Sequence, residues 1–509
     1  MQTAAAMLAT DFATLPDLIA AHARERGARI ALADAEGSCD YATFDAAMDR
    51  VAAALQRDGV APGQAVAIVA QASIAYATVF LGALRAGCVA TPLSPSATPA
   101  AIAAMIGDCG APVVFLDAAN AAALADETLA ARLVRLEELD AWLAPPGARP
   151  AAVAIGPDDP FNIIYSSGTT GTPKGIVQSH AMRWAHIARN AAAGFDDAVT
   201  MIATPLYSNT TLVSFLPTLG WGGTAVLMGK FDARGYCALA ERHRATHTML
   251  VPVQYQRIMA LPDFDRFDLG SFRFKTSTSA PFAPALKADV LARWPGLLVE
   301  YYGMTEGGAS CGLNATAHPD KLHTVGQPLP GHDIRLIDED GREVPAGETG
   351  EVVGRSPTMM TGYRGRDEAT RAAEWHDAEG HRYIRHGDIG RFDADGFLIL
   401  MDRKKDLIIS GGFNIYPSDL EAVLADHPAV ADASVIGVPS EAWGETPVGV
   451  YVARPGFEGE DAAAILDWTN ARLGRTQRLS ALHRVNELPR SAIGKVLKRE
   501  LRDRLEALA

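Results

Sequence analysis

Between residues 44 and 116 the sequence alternates helical patterns with short apolar runs, and this alternation restricts the fold more than any other stretch of the chain. An alanine-rich segment over Phe44 to Leu55 precedes VAIVA at 66–70. A second helical pattern from Ala75 to Leu84 is followed by CVATPL at 88–93 and PVVFL at 112–116. Across residues 13–140 the pattern predicts βαβ units and a mostly parallel sheet.

A proline- and glycine-rich connector, APPGARPAAVAIGPDDP at 144–160, separates this region from a second α/β stretch reaching about Gly303, in which TMLVPV at 248–253 reads as a buried strand. From His332 to Tyr363, short alternating runs with turns at Asp340-Gly341 and Gly347 predict a small twisted β region. A compact tail follows DRKKD at 402–406. Ser418 and Glu421 have capping-box spacing before the helical DLEAVLADH; ASVIGVP and VGVYVA read as strands. In the closing segment, Val496, Leu497, Leu501, Leu505 and Leu508 recur near helical spacing, with charges between them.

A chain of 509 residues is too long for one ordinary core, and 48% hydrophobic with 21% charged residues is a globular composition. The net charge of −14 argues against nucleic acid or an anionic membrane as the main partner, so an anionic ligand needs a local site. Cys39, Cys88, Cys109, Cys237 and Cys311 are odd in number and form no C-x-x-C pair, which suits small buried hydrophobes in a reducing compartment. The N-terminus lacks a basic segment before Asp11, and the longest apolar stretch is interrupted by Arg85. Neither a signal peptide nor a membrane span is expected, and the reading is cytoplasmic.

Residues 165–175 read YSSGTTGTPKG, directly after an apolar run. Hydroxyls, glycines that admit close backbone approach and one lysine suit an anion such as a polyphosphate. The loop is not a Walker motif. Counted from Gly168, Pro173 stands where the second glycine belongs, and Gly175 follows Lys174 where a hydroxyl is needed. Alone, such a loop reads equally well as plain surface.

Further segments decide between the two. YYGMTEGG spans 301–308, HGDIGRFDADGFLILMDRKKDLIISGGFNIYPSDLE spans 386–421, and LPRSAIGKVLKREL at 488–501 isolates one lysine after a glycine. TPLYSNTTL at 204–212 matches in part. In order and spacing the set resembles the adenylate-forming enzymes: acyl-CoA synthetases, aryl-CoA ligases, luciferases and peptide synthetase adenylation domains. The resemblance covers nearly the whole chain. It implies an α/β fold with a large N-terminal domain of two α/β subdomains plus a small β region (1–402), and a small mobile α+β C-terminal domain (403–509) hinged near Lys405.

The implied reaction is activation of a hydrophobic, fatty or aryl, carboxylic acid by ATP through an acyl-adenylate, then thioester formation with coenzyme A. By the same resemblance, Ser166, Ser167, Gly168, Thr169, Thr170, Gly171 and Lys174 wrap the β- and γ-phosphates. Tyr302 with Gly303 stacks on adenine, and Ser279, Ala280 and Pro281 form the second adenine wall. Thr305 bonds the α-phosphate, and Glu306 holds Mg²⁺. Asp388 and Arg403 hold the ribose, and Lys495 bridges the acid and the α-phosphate. Tyr207, Ser208, Met304 and Gly308 line the acyl pocket; Gly411, Gly412, Trp443 and Arg478 serve coenzyme A. For Trp443 a core position is the ordinary alternative.

Two departures stand out. Ser208 occupies a position where relatives often have a gating histidine, and RTQRLS at 475–480 lacks their aromatic, leaving Arg478 for a phosphate. Other readings are transfer of the acyl group to a carrier protein or other acceptor, and a degenerate nucleotide-binding protein. A serine hydrolase is suggested by GASCG at 308–312, which formally matches G-x-S-x-G. His243 and His247, at helical spacing without further ligands, read as surface histidines and not as zinc ligands. Partners are small molecules; monomer or homodimer is left open.

Overall fold

The computed structural model describes residues 2–166, 174–188, 193–403, 406–410, 413–440, 443–474, 477–491 and 494–506. It divides into two compact units. The first comprises Met1–His323, Pro328–Asp333 and Gly354–Ile384; the second comprises Thr324–Gln327, Ile334–Val353 and Arg385–Ala509. The fold class is the expected one: a large N-terminal α/β part, and a smaller C-terminal part of mixed α/β content.

In the first unit one sheet runs, in spatial order, Gly362–Tyr363, Lys174–Ser179, Pro160–Ser166, Val89–Pro92, Ala65–Val69, Val113–Leu116, Arg132–Arg135. Its middle is parallel, as the βαβ pattern predicts. Ala65–Val69 shows why the run is continuously apolar. Val66 and Ile68 enter one hydrophobic core, while Ala65, Ala67 and Val69 enter another on the opposite face. The flanking helices begin at side-chain caps: Asp40 accepts from Thr43 N–H at 2.8 Å ahead of Tyr41–Arg57, and Ser73 accepts from Tyr76 N–H at 3.1 Å ahead of Ile74–Arg85. Arg85, at the end of the second helix, is paired to Asp45 at 2.6 Å and Asp49 at 2.8 Å on the first. Among the described residues no helix is long and apolar enough to cross a membrane.

The other large sheet of this unit orders Gly307–Asn314, Leu297–Met304, Phe274–Ser277, His247–Leu250, Val199–Ile202, Thr224–Leu227, Ile30–Ala33 and Ser38–Asp40. All five strands from Leu297–Met304 to Thr224–Leu227 are parallel. The TMLVPV strand is shorter than expected. It ends at Leu250, because Pro252 takes the first position of the helix Pro252–Met259, where its missing N–H costs nothing. His243 and His247 share no helix: Arg244, at φ 49°, ends the first helix, and His247 opens the next strand. His247 is not a surface residue but is 1% exposed, its Nε2 2.7 Å from the Ala193 carbonyl.

In the second unit, Arg385–Phe392 continues the Arg382–Phe392 strand and pairs antiparallel with Leu398–Arg403. A separate sheet orders Phe413–Ile415, Ile408–Ser410, Gly444–Ala453 and Val430–Ser440, with Ala481–Val485 parallel to Gly444–Ala453. The expected capping box is absent. The helix is Pro417–Ala425 with Pro417 at its first position, so Ser418 lies inside the first turn. Ser418 instead donates its hydroxyl to the Met401 carbonyl and its N–H to Asp402 Oδ2 at 2.9 Å, and Glu421 accepts from Val435 N–H at 2.8 Å. The closing helix Lys498–Glu506 buries Leu501 among Ile436, Val450 and Leu488. All five cysteines are free, four of them buried and Cys39 partly so.

Candidate active site

The carboxyl ends of parallel strands gather ligand-facing loops on one edge of a sheet. In the first unit Tyr207–Asn209 follows Val199–Ile202, Ser279–Pro281 follows Phe274–Ser277, and Tyr302–Glu306 closes Leu297–Met304. Ser277 stands opposite Glu300 in the parallel ladder, so the second and third of these loops leave neighbouring strands at the same edge. Tyr302 is 9% exposed and faces Cys311 across the antiparallel pair, while Gly303 is exposed.

Ser279 has φ 81°, one of two non-glycine residues with positive φ among the described residues. Its hydroxyl lies 2.5 Å from Thr210 Oγ1, in the first turn of the helix Asn209–Gly220. A strained residue tied to a neighbouring loop is a common mark of a site built for a ligand. Ser208 is 9% exposed and begins that helix through its carbonyl, which accepts from Thr211 and Leu212 N–H at 3.1 and 3.2 Å. Tyr207 and Met304 are half-buried, and Gly308 is buried.

The Ser/Thr/Gly loop joins two antiparallel strands whose last pair is Ser166 opposite Lys174. Ser167, Gly168, Thr169, Thr170 and Gly171 lie outside the described residues, as do Lys405, Gly411 and Gly412. Lys174 holds its ammonium over the Tyr363 ring, 5.1 Å from the centroid. The Tyr363 hydroxyl donates to Glu306 Oε1 at 2.8 Å, and burial with the adjacent carboxylate holds the phenol protonated far above its ordinary range. Met360 N–H donates to the Glu306 carbonyl at 2.8 Å, and Gln178 Nε2 donates to the Thr305 carbonyl at 2.7 Å. Gly307 follows at φ 91°, where a Cβ would lie 1.7 Å from the Thr358 carbonyl oxygen, so the chain passes here only as glycine. Lysine, phenol, carboxylate and threonine are thus brought together from three distant segments.

Sequence reasoning missed Tyr363, Met360 and Gln178. The weak signal for Tyr363 was its place in a Thr-Gly-Tyr step; what delivers it is the pairing of Tyr363 with Ile176, beside Lys174.

Within the second unit, Asp388 stands opposite Arg403 in the antiparallel pair, with Arg403 Nε 3.3 Å from Asp388 Oδ1. His386 nearby is buried and pushed down to about 4 by desolvation, so it is neutral at physiological pH. Lys495 lies in a turn closed by the Arg490–Val496 bridge; its N–H donates to Ser491 Oγ at 3.2 Å and its carbonyl accepts from Ser491 N–H at 2.8 Å. Arg490 anchors the turn through Asp432 at 2.6 Å. Trp443 is 61% exposed, which excludes a core role, and it precedes Gly444, which pairs with Ser410. Arg478 is exposed. Ser310 sits in mid-strand within Gly307–Asn314 and its N–H donates to His332 Nδ1 at 2.9 Å. No sharp strand-to-helix turn exists there, so GASCG is no nucleophile elbow.

The description "AMP-binding enzyme" matches residues 19–364, and "AMP-binding enzyme C-terminal domain" matches residues 419–495. The chain is 35% identical over 473 residues to a feruloyl-CoA synthase of Amycolatopsis sp, covering 91% of this chain and 93% of that one. It is 31% identical over 482 residues to the long-chain-fatty-acid–CoA ligase FadD13 of Mycobacterium tuberculosis, covering 92% and 93%. Its fold superimposes on ATP-bound MatB from Rhodopseudomonas palustris with a TM-score of 0.85 at 29% identity, covering 97% of this chain and 99% of that one.

Proposed function

From the premise that this chain belongs to the AMP-binding enzymes, the adenylate-forming superfamily of acyl- and aryl-CoA ligases, we propose that its acid substrate is hydrophobic, fatty or aryl. The protein is an ATP-dependent, AMP-forming acid–thiol ligase that uses ATP, Mg²⁺ and coenzyme A. The observation that supports our assignment of the site is the convergence of Lys174 and Glu306 on the two sides of Tyr363.

In the first half-reaction an oxygen of the acid attacks the α-phosphorus, and the bond to the β-phosphate breaks. Positioning and electrostatics carry such a step. Lys174 and the hydroxyls of the 166–171 loop hold the leaving pyrophosphate. Thr305 orients the α-phosphate, and Lys495 neutralises charge at the reacting centre. Glu306, its carboxylate oriented by Tyr363, would supply the kind of oxygen donor that Mg²⁺ takes. That ion, when bound, offsets phosphate charge. Asp388 with Arg403 grips the ribose, and Tyr302 and Ser279–Pro281 enclose the adenine. Tyr207, Ser208, Met304 and Gly308 face the acyl group.

In the second half-reaction the thiol of coenzyme A attacks the acyl carbon, AMP leaves and the thiol proton is lost. We assign it to the other orientation of a mobile domain, residues 403–509, hinged at Lys405, with Gly411, Gly412, Trp443 and Arg478 toward coenzyme A. The exposure of Trp443 supports this part of the reading. Five free cysteines fit a cytoplasmic setting, as monomer or homodimer.

A panel of fatty and aryl acids scored by pyrophosphate release, with and without coenzyme A, tests the proposal. Release with hydrophobic acids, followed by thioester on adding coenzyme A, is the expected result. Release restricted to short polar acids would remove the substrate class. Adenylation with no thioester would point to a carrier protein or another acceptor.

A further inference from the structure

Arg183, in the helix His180–Ala188, is 1% exposed, yet no acidic side chain pairs with it among the described residues. Its nitrogens bond instead to three amide oxygens: Nε to Asn162 Oδ1 at 2.8 Å, Nη1 to Asn209 Oδ1 at 2.9 Å, and Nη2 to Gln178 Oε1. Burial pulls its pKa down, to about 9, which leaves it a cation at neutral pH. A buried charge held only by neutral dipoles is a poor way to gain stability, since an apolar residue of like volume is often as good or better.

The arrangement does something an apolar residue cannot. Gln178 Oε1 accepts from both Arg183 and Asn162 Nδ2, the latter at 2.9 Å, and this fixes which way the amide faces. Its NH₂ group is therefore turned to the Thr305 carbonyl, where it donates at 2.7 Å. With the Glu306 carbonyl held by Met360 N–H and the Glu306 carboxylate by Tyr363, the Thr305–Glu306 dipeptide is fixed from three sides. The remaining arm of Arg183 holds Asn209, the residue after Ser208.

We propose that Arg183 is a positioning residue for adenylation, acting through the fixed amide of Gln178 on the Thr305 carbonyl and through Asn209 on the first turn of the helix Asn209–Gly220. This rests on the reading of Thr305 and Glu306 as contacts to phosphate and metal. Displacements of an ångström at such groups can cost about 10²-fold in rate.

Gln178→Glu tests the proposal. The carboxylate still accepts from Arg183 and Asn162 and supplies the missing counter-charge, but it offers an oxygen to the Thr305 carbonyl in place of a donor. We expect a melting temperature at or above that of the unsubstituted protein. Pyrophosphate release should fall ~10-fold or more in kcat, with thioester formation from supplied acyl-adenylate within about twofold of the parent. Amide hydrogen exchange at residues 305–307, without substrates, should be faster than in the parent. The double variant Gln178→Met with Arg183→Met removes the network at similar volume and should give the same signature, and Arg183→Lys should not restore the rate of the parent, because one ammonium cannot hold three amides in a plane. Unchanged exchange at 305–307 in both Gln178 variants, or parallel loss of the two half-reactions, would overturn the proposal. Exchange that rises as expected in a protein inert toward every acid would count against the functional reading alone.

Discussion

Tyr363 donates its hydroxyl to Glu306 Oε1 at 2.8 Å while its ring face carries the Lys174 ammonium at 5.1 Å. One phenol thus contacts both charged groups assigned to the triphosphate and its metal. Tyr363→Phe keeps the ring and removes the bond to the carboxylate. Pyrophosphate release should fall roughly tenfold, and half-maximal rate should need more Mg²⁺. An unchanged rate at every Mg²⁺ concentration would show that the carboxylate needs no such support.

The backbone of Ser279, at φ 81°, sets a second test. Ser279→Ala keeps the strained conformation and loses the hydroxyl contact to Thr210, whereas Ser279→Gly loses the contact but relieves the strain. The glycine variant should therefore be the more stable of the two by about 1 kcal/mol in urea denaturation. Equal midpoints would mean that the position carries no backbone cost.

Ser208 presents no titratable group at the proposed mouth of the acyl pocket. Thioester formation from supplied acyl-adenylate should accordingly show no inflection near pH 6.5 in stopped-flow measurements. A Ser208→His variant with much faster thioester formation and unaltered adenylation would show instead that a gate was merely missing.

In the proposed mechanism Lys495 serves adenylation and Lys405 the turn toward thioester formation. Lys495→Ala should slow adenylation by ~10² or more through loss of charge at the reacting centre, and leave thioester formation from supplied acyl-adenylate largely intact. Lys405→Pro, which restricts φ at the assigned hinge, should do the reverse. Equal loss of both steps in both variants, with folding verified by circular dichroism, would refute the two-orientation mechanism.

His180 predicts an acid limit to stability. It is buried against Phe161, with ring centroids 5.0 Å apart, and desolvation pushes it down to about 4. Between pH 6.5 and 4 the unfolded chain binds a proton there that the folded chain does not, so stability falls as pH falls through that window. The contribution is on the order of 3 kcal/mol. A His180→Gln variant should have a melting temperature that declines less steeply over this range, and an identical slope would assign the acid sensitivity elsewhere.

Much of the fold was legible in the sequence because its signals are local. Ala65–Val69 must be apolar at every position to lie between two cores, and the helical patterns at 44–55 and 75–84 fall inside the helices Tyr41–Arg57 and Ile74–Arg85. The run from Ser166 to Lys174, the Tyr302–Glu306 step, and Asp388 with Arg403 could be read as candidates because each is compact in the chain or matches a family pattern. Local signals also misled. Ser418 and Glu421 have the spacing of a capping box, but Pro417 takes the first helical position, and both side chains are drawn to partners on other elements. His247 sits four residues from His243 and is nevertheless buried in a strand. What no period or propensity could decide is which distant side chains meet. Arg183 finds Asn162, Gln178 and Asn209, and Tyr363 finds Lys174 and Glu306, only once strand register and crossovers have placed four segments side by side. The sequence determined the elements and the reactive groups. The tertiary structure alone decided their partners, because a buried polar group must be satisfied by whatever the packing brings within about 3 Å, however far away in the chain it lies.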